Sequence, residues 1–89
     1  MDIFQVLLNI SRFKRNKTIY AVEPWTPESE AQVVLEPAEG LIHIIRGDLR
    51  FEYFLEVSLA QDLLQQNQHS SLCMRDQCLR MIEYAMQNT

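Results

Sequence analysis

Most residues at the beginning of the chain are apolar, and the polar residues among them form only a narrow stripe. On a helical wheel of about 100° per residue, this stripe consists of Asp2, Gln5, Asn9 and Arg12. The pattern predicts a helix over about residues 2–14, with Asp2 as its N-cap. Because the apolar arc is so wide, we expect this helix to be buried on more than one side, or partly against another chain.

Three runs rich in β-branched and aromatic residues follow the first helix. They predict strands at residues 18–22, 31–35 and 41–45, with turns at residues 38–40 and 46–48. Because the connections are short, the economical arrangement is an antiparallel meander in which each strand pairs with the next.

The hydrophobic pattern changes its period in the next stretch. Apolar and charged residues alternate over residues 49–53 as in a strand, and a helical period then continues to about residue 67. We expect a short fourth strand at 49–53 that runs directly into a helix at 54–67. A single helix from Asp48 onward is the alternative.

The last segment is strongly amphipathic. Its apolar residues between Leu72 and Met86 occupy one half of a helical wheel, and Ser70 or Ser71 is the expected N-cap. The resulting order is α-β-β-β-(β)-α-α. It predicts a single α+β domain over residues 1–89, with a small antiparallel sheet of three to four strands and helices packed on one face.

Composition limits the size of the core. The chain has 89 residues, of which 47% are hydrophobic and 22% charged, as in an ordinary globular domain. A domain of this length buries roughly 60–65% of its unfolded surface, so association with a second copy or another protein is favoured. The sequence contains no run of about 20 apolar residues and no secretion signal. With two isolated cysteines, Cys73 and Cys78, this favours a cytoplasmic location and no membrane partner.

Charge is unevenly distributed along the chain. Basic residues cluster at 12–17, and five glutamates without a base fall within 23–39. The basic cluster contains Phe13 and would suit nucleic acid, but the chain as a whole carries a net charge of −4. The sequence therefore does not favour nucleic acid as a partner.

Two charged residues fall at apolar positions of the predicted helices. Glu56 lies in the apolar arc of the middle helix, where a carboxylate must be paired, hydrogen-bonded or protonated. It is either an acid that faces a ligand or a structural carboxylate. Arg75 occupies a similar position on the last helix, and we predict a Glu56–Arg75 salt bridge.

The other candidate site is the segment Glu23-Pro24-Trp25-Thr26-Pro27. It places the only tryptophan of the chain between two prolines, and tryptophan is enriched at interface hot spots. Trp25 either binds a partner or folds back as a lid over the core. The candidate ligand-binding or partner-binding residues are Glu23, Trp25, Glu56 and Arg75.

The sequence offers few residues that would suit catalysis or the binding of a cofactor. His69 and Cys73 have the i,i+4 spacing of metal ligands but need two more, and His43 lies among aliphatic residues. Two isolated glycines make no phosphate-binding loop. We predict no catalytic residue, no metal site and no cofactor.

Short motifs give the chain a resemblance. Val22-Glu23-Pro24-Trp25, Ser29-Glu30-Ala31 and Tyr53-Phe54-Leu55-Glu56-Val57 resemble the E-P-W and Y-F-L-E-V elements of small uncharacterised bacterial proteins. The resemblance covers about residues 18–67 and implies no established activity. Some small acidic proteins of this general kind act as immunity or accessory proteins, which is an analogy only.

The functional expectation is a non-enzymatic protein-interaction domain, homo-oligomeric or bound to a partner protein. Its basis is the excess of apolar surface on the first and last helices, together with Trp25. The alternative is a small-ligand-binding module or weak enzyme that uses Glu56 and Glu23 near Trp25. A third hypothesis is nucleic-acid binding through residues 12–17.

Overall fold

The computed structural model describes residues 1–35, 42–66 and 73–87. Within these ranges the chain forms helices α1 (Ile3–Leu8), α2 (Val57–Gln66) and α3 (Met74–Gln87), a 3₁₀ helix (Ile10–Arg12), and strands β1 (Lys17–Ala21), β2 (Ala31–Leu35), β3 (His43–Arg46) and β4 (Leu49–Glu56). The α+β class and the predicted order of elements are confirmed. The turn predicted at 38–40 and the caps predicted at Ser70 or Ser71 lie outside the described residues.

Helix α1 begins as the sequence predicts and ends earlier. Asp2 Oδ1 accepts a hydrogen bond from the Gln5 backbone N–H at 2.8 Å, and Gln5 Oε1 accepts one from the Asp2 N–H at 2.9 Å. This reciprocal pair is a capping box. The α-helix stops at Leu8, where the Asn9 side chain donates to the Gln5 carbonyl at 2.9 Å. The chain then tightens into the 3₁₀ helix, so the prediction of one α-helix to residue 14 is wrong.

The four strands form one antiparallel sheet in the order β2-β1-β4-β3. The predicted meander is therefore wrong, because β2 and β3 are the two edge strands and do not pair. Seven residues separate them in sequence, and seven extended residues reach about 23 Å. That length exceeds three interstrand spacings of roughly 4.8 Å, so a short connection did not require neighbouring strands.

Strand β4 continues to Glu56, beyond the predicted end at residue 53. A bulge interrupts its pairing with β1. Ile19 pairs with Leu55 and Tyr20 with Tyr53, which leaves Phe54 as the extra residue. Both Phe54 and Leu55 consequently belong to the buried core. Two adjacent apolar residues on one side of a strand break the alternation of period two, and this is why residues 54–56 have the pattern of a helix. The alternative of a single helix from Asp48 is also wrong.

A two-residue turn joins β3 to β4, as the sequence predicts. Gly47 has φ of +60°, and Asp48 has no positive φ. A positive φ at the first central residue alone is the pattern of a type II′ turn, for which glycine is preferred.

The core lies on one face of the sheet and is covered by the helices. Helices α1 and α3 contact each other, and α2 packs on β1 and β4. The buried cluster contains Ile3, Val6, Leu7, Ile10, Ile19, Ala21, Ala31, Phe54, Leu55, Val57, Ala60, Cys78, Met81, Ile82 and Ala85. On the other face, the rings of Tyr20 and Tyr53 meet edge to face at 6.0 Å. In the described ranges no helix combines the length and apolarity needed to cross a membrane.

Candidate functional site

The loop between β1 and β2 is held against the start of α1. The backbone N–H groups of Ile3 and Phe4 donate to the carbonyls of Ser29 and Pro27, each at 2.9 Å. These donors belong to the first turn of the helix, which has no partner for them within the helix itself. The loop is therefore part of the helix terminus rather than a free connection.

Ser29 closes the loop from within. Its hydroxyl accepts a hydrogen bond from the Thr26 N–H at 2.8 Å and donates to the Pro24 carbonyl at 2.9 Å. At the end of the loop, the Ala31 N–H donates to the Met1 carbonyl at 2.8 Å. These bonds hold the segment that carries Trp25 at a fixed position.

Trp25 forms a lid over the edge of the core. Its side chain is half-buried, and its Nε1–H donates to the Ala21 carbonyl at 3.2 Å. Its ring meets Phe54 edge to face, with centroids 5.0 Å apart and planes at 89°. Of the two interpretations of Trp25, the structure confirms packing as a lid. Any binding role falls to the part of the side chain that stays accessible.

A groove of about 260 Å³ opens beside this lid. Its lining residues are Glu23, Pro24, Trp25 and Met86. Glu23 and Met86 are exposed, and Met86 belongs to the last turn of α3. Among the described residues, its lining thus combines one carboxylate with three apolar side chains, and it includes two of the four candidate site residues.

Glu56 lies elsewhere. It is the last residue of β4, is half-buried, and stands opposite Thr18 of β1. The prediction that it lies in the apolar arc of a helix is wrong, because the strand continues through the bulge to this residue. Glu56 is not among the residues that line the groove, so the structure does not bring it together with Glu23 and Trp25.

Arg75 forms an ion pair with a different glutamate from the one expected. Its guanidinium lies 2.8 Å from Glu28 Oε1, and both side chains are exposed. The predicted Glu56–Arg75 bridge is wrong, because the first turn of α3 lies beside the β1–β2 loop. The hydrogen bond from Arg75 lowers the pKa of Glu28, and the same bond raises the pKa of Arg75. The pair joins the loop to α3.

The two cysteines occupy opposite environments. Cys78 is fully buried on the apolar face of α3, whereas Cys73 is exposed. Both thiols are free, and burial raises the pKa of the Cys78 thiol to about 11. Within the described ranges no three His, Cys, Asp or Glu residues come together in a way that could hold a metal ion.

The basic run at 12–17 is partly engaged within the chain. The Arg15 guanidinium donates to Gln61 at 2.9 Å and lies 3.2 Å from Asp62, both residues of α2. Gln61 in turn donates to the carbonyls of Ile10 and Phe13. These bonds attach the end of the 3₁₀ segment to α2, and they take up one of the cations that nucleic acid would need.

Sequence reasoning missed a second surface, at the β3 edge of the sheet. Ile42 and Ile45 are 70% and 62% exposed, and the neighbouring Leu49 is also exposed. Nothing in the sequence separates these residues from the aliphatic residues of buried strands. Their exposure is set by tertiary packing at the outer strand of the described sheet.

Comparisons with known proteins supply no family for this chain. No protein-family model, no curated protein and no solved structure matches it. The resemblance of residues 18–67 to small bacterial proteins therefore stays a prediction, and functional inference depends on the two surfaces described above.

Proposed function

We propose that this chain is a non-enzymatic protein-interaction domain that associates through the edge strand β3. The observation that carries the proposal is the pair of exposed isoleucines, Ile42 and Ile45, on and beside an edge strand. A sheet edge presents unpaired backbone donors and acceptors, and folded monomers usually protect it with charge, proline or a covering element. Here only Arg46, at the end of the strand, is charged.

The backbone of β3 alternates between its neighbour and the open edge. The Tyr53 N–H donates to the Ile42 carbonyl at 2.8 Å, so Ile42 directs its carbonyl toward β4. By the period of two, Ile44 also bonds to β4, and the polar backbone groups of His43 and Ile45 point outward. The backbone N–H and C=O groups of these two residues are available to an added strand.

A second copy of the chain suits this edge. In an antiparallel pairing centred on Ile44, His43 of one copy and Ile45 of the other form a pair that exchanges two N–H···O bonds, and symmetry gives a second such pair. Ile44 then faces Ile44 of the second copy, and Arg46 faces Ile42. No like charges stand opposite each other, so a symmetric dimer carries no repulsive penalty at this edge.

The test is the oligomeric state of two matched variants. Ile45→Lys places a charge on the exposed edge, and Leu8→Lys places one on α1 at a residue of similar exposure, 57% against 62%. We expect the wild-type protein and Leu8→Lys to be dimeric by native mass spectrometry and light scattering, and Ile45→Lys to be monomeric. A wild-type protein that is monomeric at all concentrations would contradict self-association, as would a dimer that survives Ile45→Lys.

The alternative of a small-ligand module or weak enzyme loses part of its basis. It requires Glu56 beside Glu23 and Trp25, and only the latter two line the groove. Binding pockets for small molecules usually enclose about 300–1,000 Å³, more than the 260 Å³ of this groove. A second cavity of about 470 Å³, lined by Arg80, Glu83, Tyr84 and Gln87, contains none of the residues that the alternative requires. A protein partner is therefore the better-supported class.

The predicted cytoplasmic location belongs to the same proposal. Its support is that Cys73 and Cys78 are both free, since secreted domains of this size usually pair their cysteines in disulfides.

A further inference from the structure

The size of the groove beside Trp25 limits what can occupy it. A volume of about 260 Å³ is below that of a usual small-molecule pocket, and it is adequate for one long side chain. Its walls are the apolar surfaces of Pro24, Trp25 and Met86, with the Glu23 carboxylate as the charged group. A long apolar stem that ends in a positive charge matches this lining.

Two sources of negative charge beside the groove, the Glu23 carboxylate and the C-terminal end of α3, favour a bound cation. Glu23 contributes a full negative charge at an exposed position. Met86 lies in the last turn of α3, where the helix dipole leaves partial negative charge on the carbonyls. Within the described part of α3, the last turn contains no basic residue of its own.

The aromatic wall of the groove is fixed in place. The hydrogen bond to the Ala21 carbonyl and the edge-to-face contact with Phe54 restrict the Trp25 ring. A ring held in this way loses little conformational entropy on binding. Tryptophan is also the aromatic side chain that attracts cations most strongly.

We propose that this groove binds the cationic side chain, a lysine or an arginine, of a partner polypeptide. The stem packs on Pro24, Trp25 and Met86, and the charged group pairs with Glu23. The inference goes beyond the proposed association through β3, since it uses none of the residues of that strand. It does not depend on whether the chain dimerises.

The test uses the indole N–H resonance of Trp25, which is unique because the chain has one tryptophan. The probe is the peptide acetyl-Gly-Arg-Gly-amide, and its control is the same peptide with neutral citrulline in place of arginine. We expect a saturable shift of the indole resonance with the arginine peptide, weakened by added salt. The citrulline peptide should bind roughly two- to five-fold more weakly or not at all.

Two substitutions connect the binding to the groove. Glu23→Gln should weaken the affinity for the arginine peptide roughly two- to five-fold. Glu30→Gln is the control, because it removes the same charge from the same loop at a residue that pairs with the N-terminal amine. It should leave the affinity unchanged. Met86→Lys, at a residue that is 58% exposed, places a cation in the groove and should weaken peptide binding. The remaining amide resonances report whether each variant keeps its fold.

Several outcomes would overturn the proposal. These are the absence of a saturable shift in the folded protein, equal affinity for the citrulline peptide, and equal losses from Glu23→Gln and Glu30→Gln. Affinity for tetramethylammonium equal to that for the arginine peptide would also overturn it, because the groove would then select charge alone and not a polypeptide side chain.

Discussion

Strands β1 and β3 are both short and apolar, and their surroundings are opposite. From Thr18 to Ala21 every residue of β1 is buried, whereas β3 passes from half-buried at His43 to exposed at Ile45. Among the described strands, β1 has neighbours on both sides, β2 and β4, whereas β3 pairs with β4 alone. The comparison shows that β-propensity selects a strand conformation, while the order of pairing decides what the side chains contact.

This difference separates stability from association. The core-facing side chains of β1, Ile19 and Ala21, belong to the buried cluster, so they contribute to the free energy of unfolding. Ile45 of β3 remains accessible and contributes little to the isolated fold. If the comparison is correct, the same substitution in the two strands has different consequences.

The largest expected effect comes from a matched pair of isoleucines. Ile19→Ala in β1 removes a fully buried side chain and should lower the free energy of unfolding by about 2–5 kcal/mol. Ile45→Ala in β3 removes an exposed one and should change it by less than about 0.5 kcal/mol. Urea unfolding at a concentration that keeps the protein monomeric measures both. Equal losses would contradict the distinction between the strands.

The second prediction applies the comparison to the two thiols of the C-terminal region. Burial raises the folded-state pKa of Cys78 to about 11 from an ordinary value of about 9. Above pH 9 the unfolded thiol has lost its proton and the folded one still keeps it, so stability falls as pH rises through this window. The loss should reach about 2–3 kcal/mol above the folded-state pKa.

The variant Cys78→Ala isolates this effect. Its unfolding free energy, measured by urea titration at successive pH values from about pH 8 upward, should fall less steeply with pH than that of the wild-type protein. A matched Cys73→Ala variant should keep the wild-type slope, because Cys73 is exposed. Identical slopes for all three proteins would show that the Cys78 thiol is not shielded from water.

A smaller effect is expected in the turn that joins β3 to β4. Gly47 has φ of +60°, and, apart from the glycine itself and its two neighbours in the chain, no described heavy atom lies within 4 Å of the position that a Cβ would take. Gly47→Ala therefore introduces backbone strain without a clash, and should cost about 1 kcal/mol in unfolding experiments. Gly47→Asn is the control and should cost less, because asparagine tolerates this conformation better. A cost for alanine as large as that of Ile19→Ala would mean that the hairpin is not peripheral.

The smallest effect is expected for the exposed pair Arg75–Glu28. Because the pKa of Glu28 is lowered in the folded state, the pair stabilises the fold at neutral pH and loses this contribution as pH falls through that lowered value. Arg75→Gln should raise the pKa of Glu28 toward its ordinary value, as measured by NMR titration of the carboxyl carbon. The melting temperature should change little, since exposed ion pairs contribute little. An unchanged pKa of Glu28 would show that the pair does not form in solution.

Local signals in the sequence predicted the elements well. The cap at Asp2, the strand at residues 31–35 and the helical stripe of α3 each depend on residues close together in the chain, and each is confirmed. The glycine turn at residues 46–48 is confirmed for the same reason. Capping, turn chemistry and amphipathicity are local properties, and a single sequence records them directly.

Pairing between distant segments was the part that the sequence did not reveal. The meander was wrong because connection length sets only an upper limit on the distance between strand ends. The end of β4 was misplaced because the bulge at Phe54 imitates a helical period. Both site errors follow from these two: Glu56 was placed on a helix, and Arg75 was therefore paired with the wrong glutamate.

The strand order β2-β1-β4-β3 has a consequence for how the chain folds. Each outer strand pairs with a strand close to it in sequence, so the β1–β2 and β3–β4 hairpins can form early as separate local units. The central β1–β4 ladder joins residues far apart in sequence and closes a much larger loop, at a greater entropic cost. We therefore expect the two hairpins to dock late in folding along the β1–β4 ladder, and the bulge at Phe54 lies in that ladder.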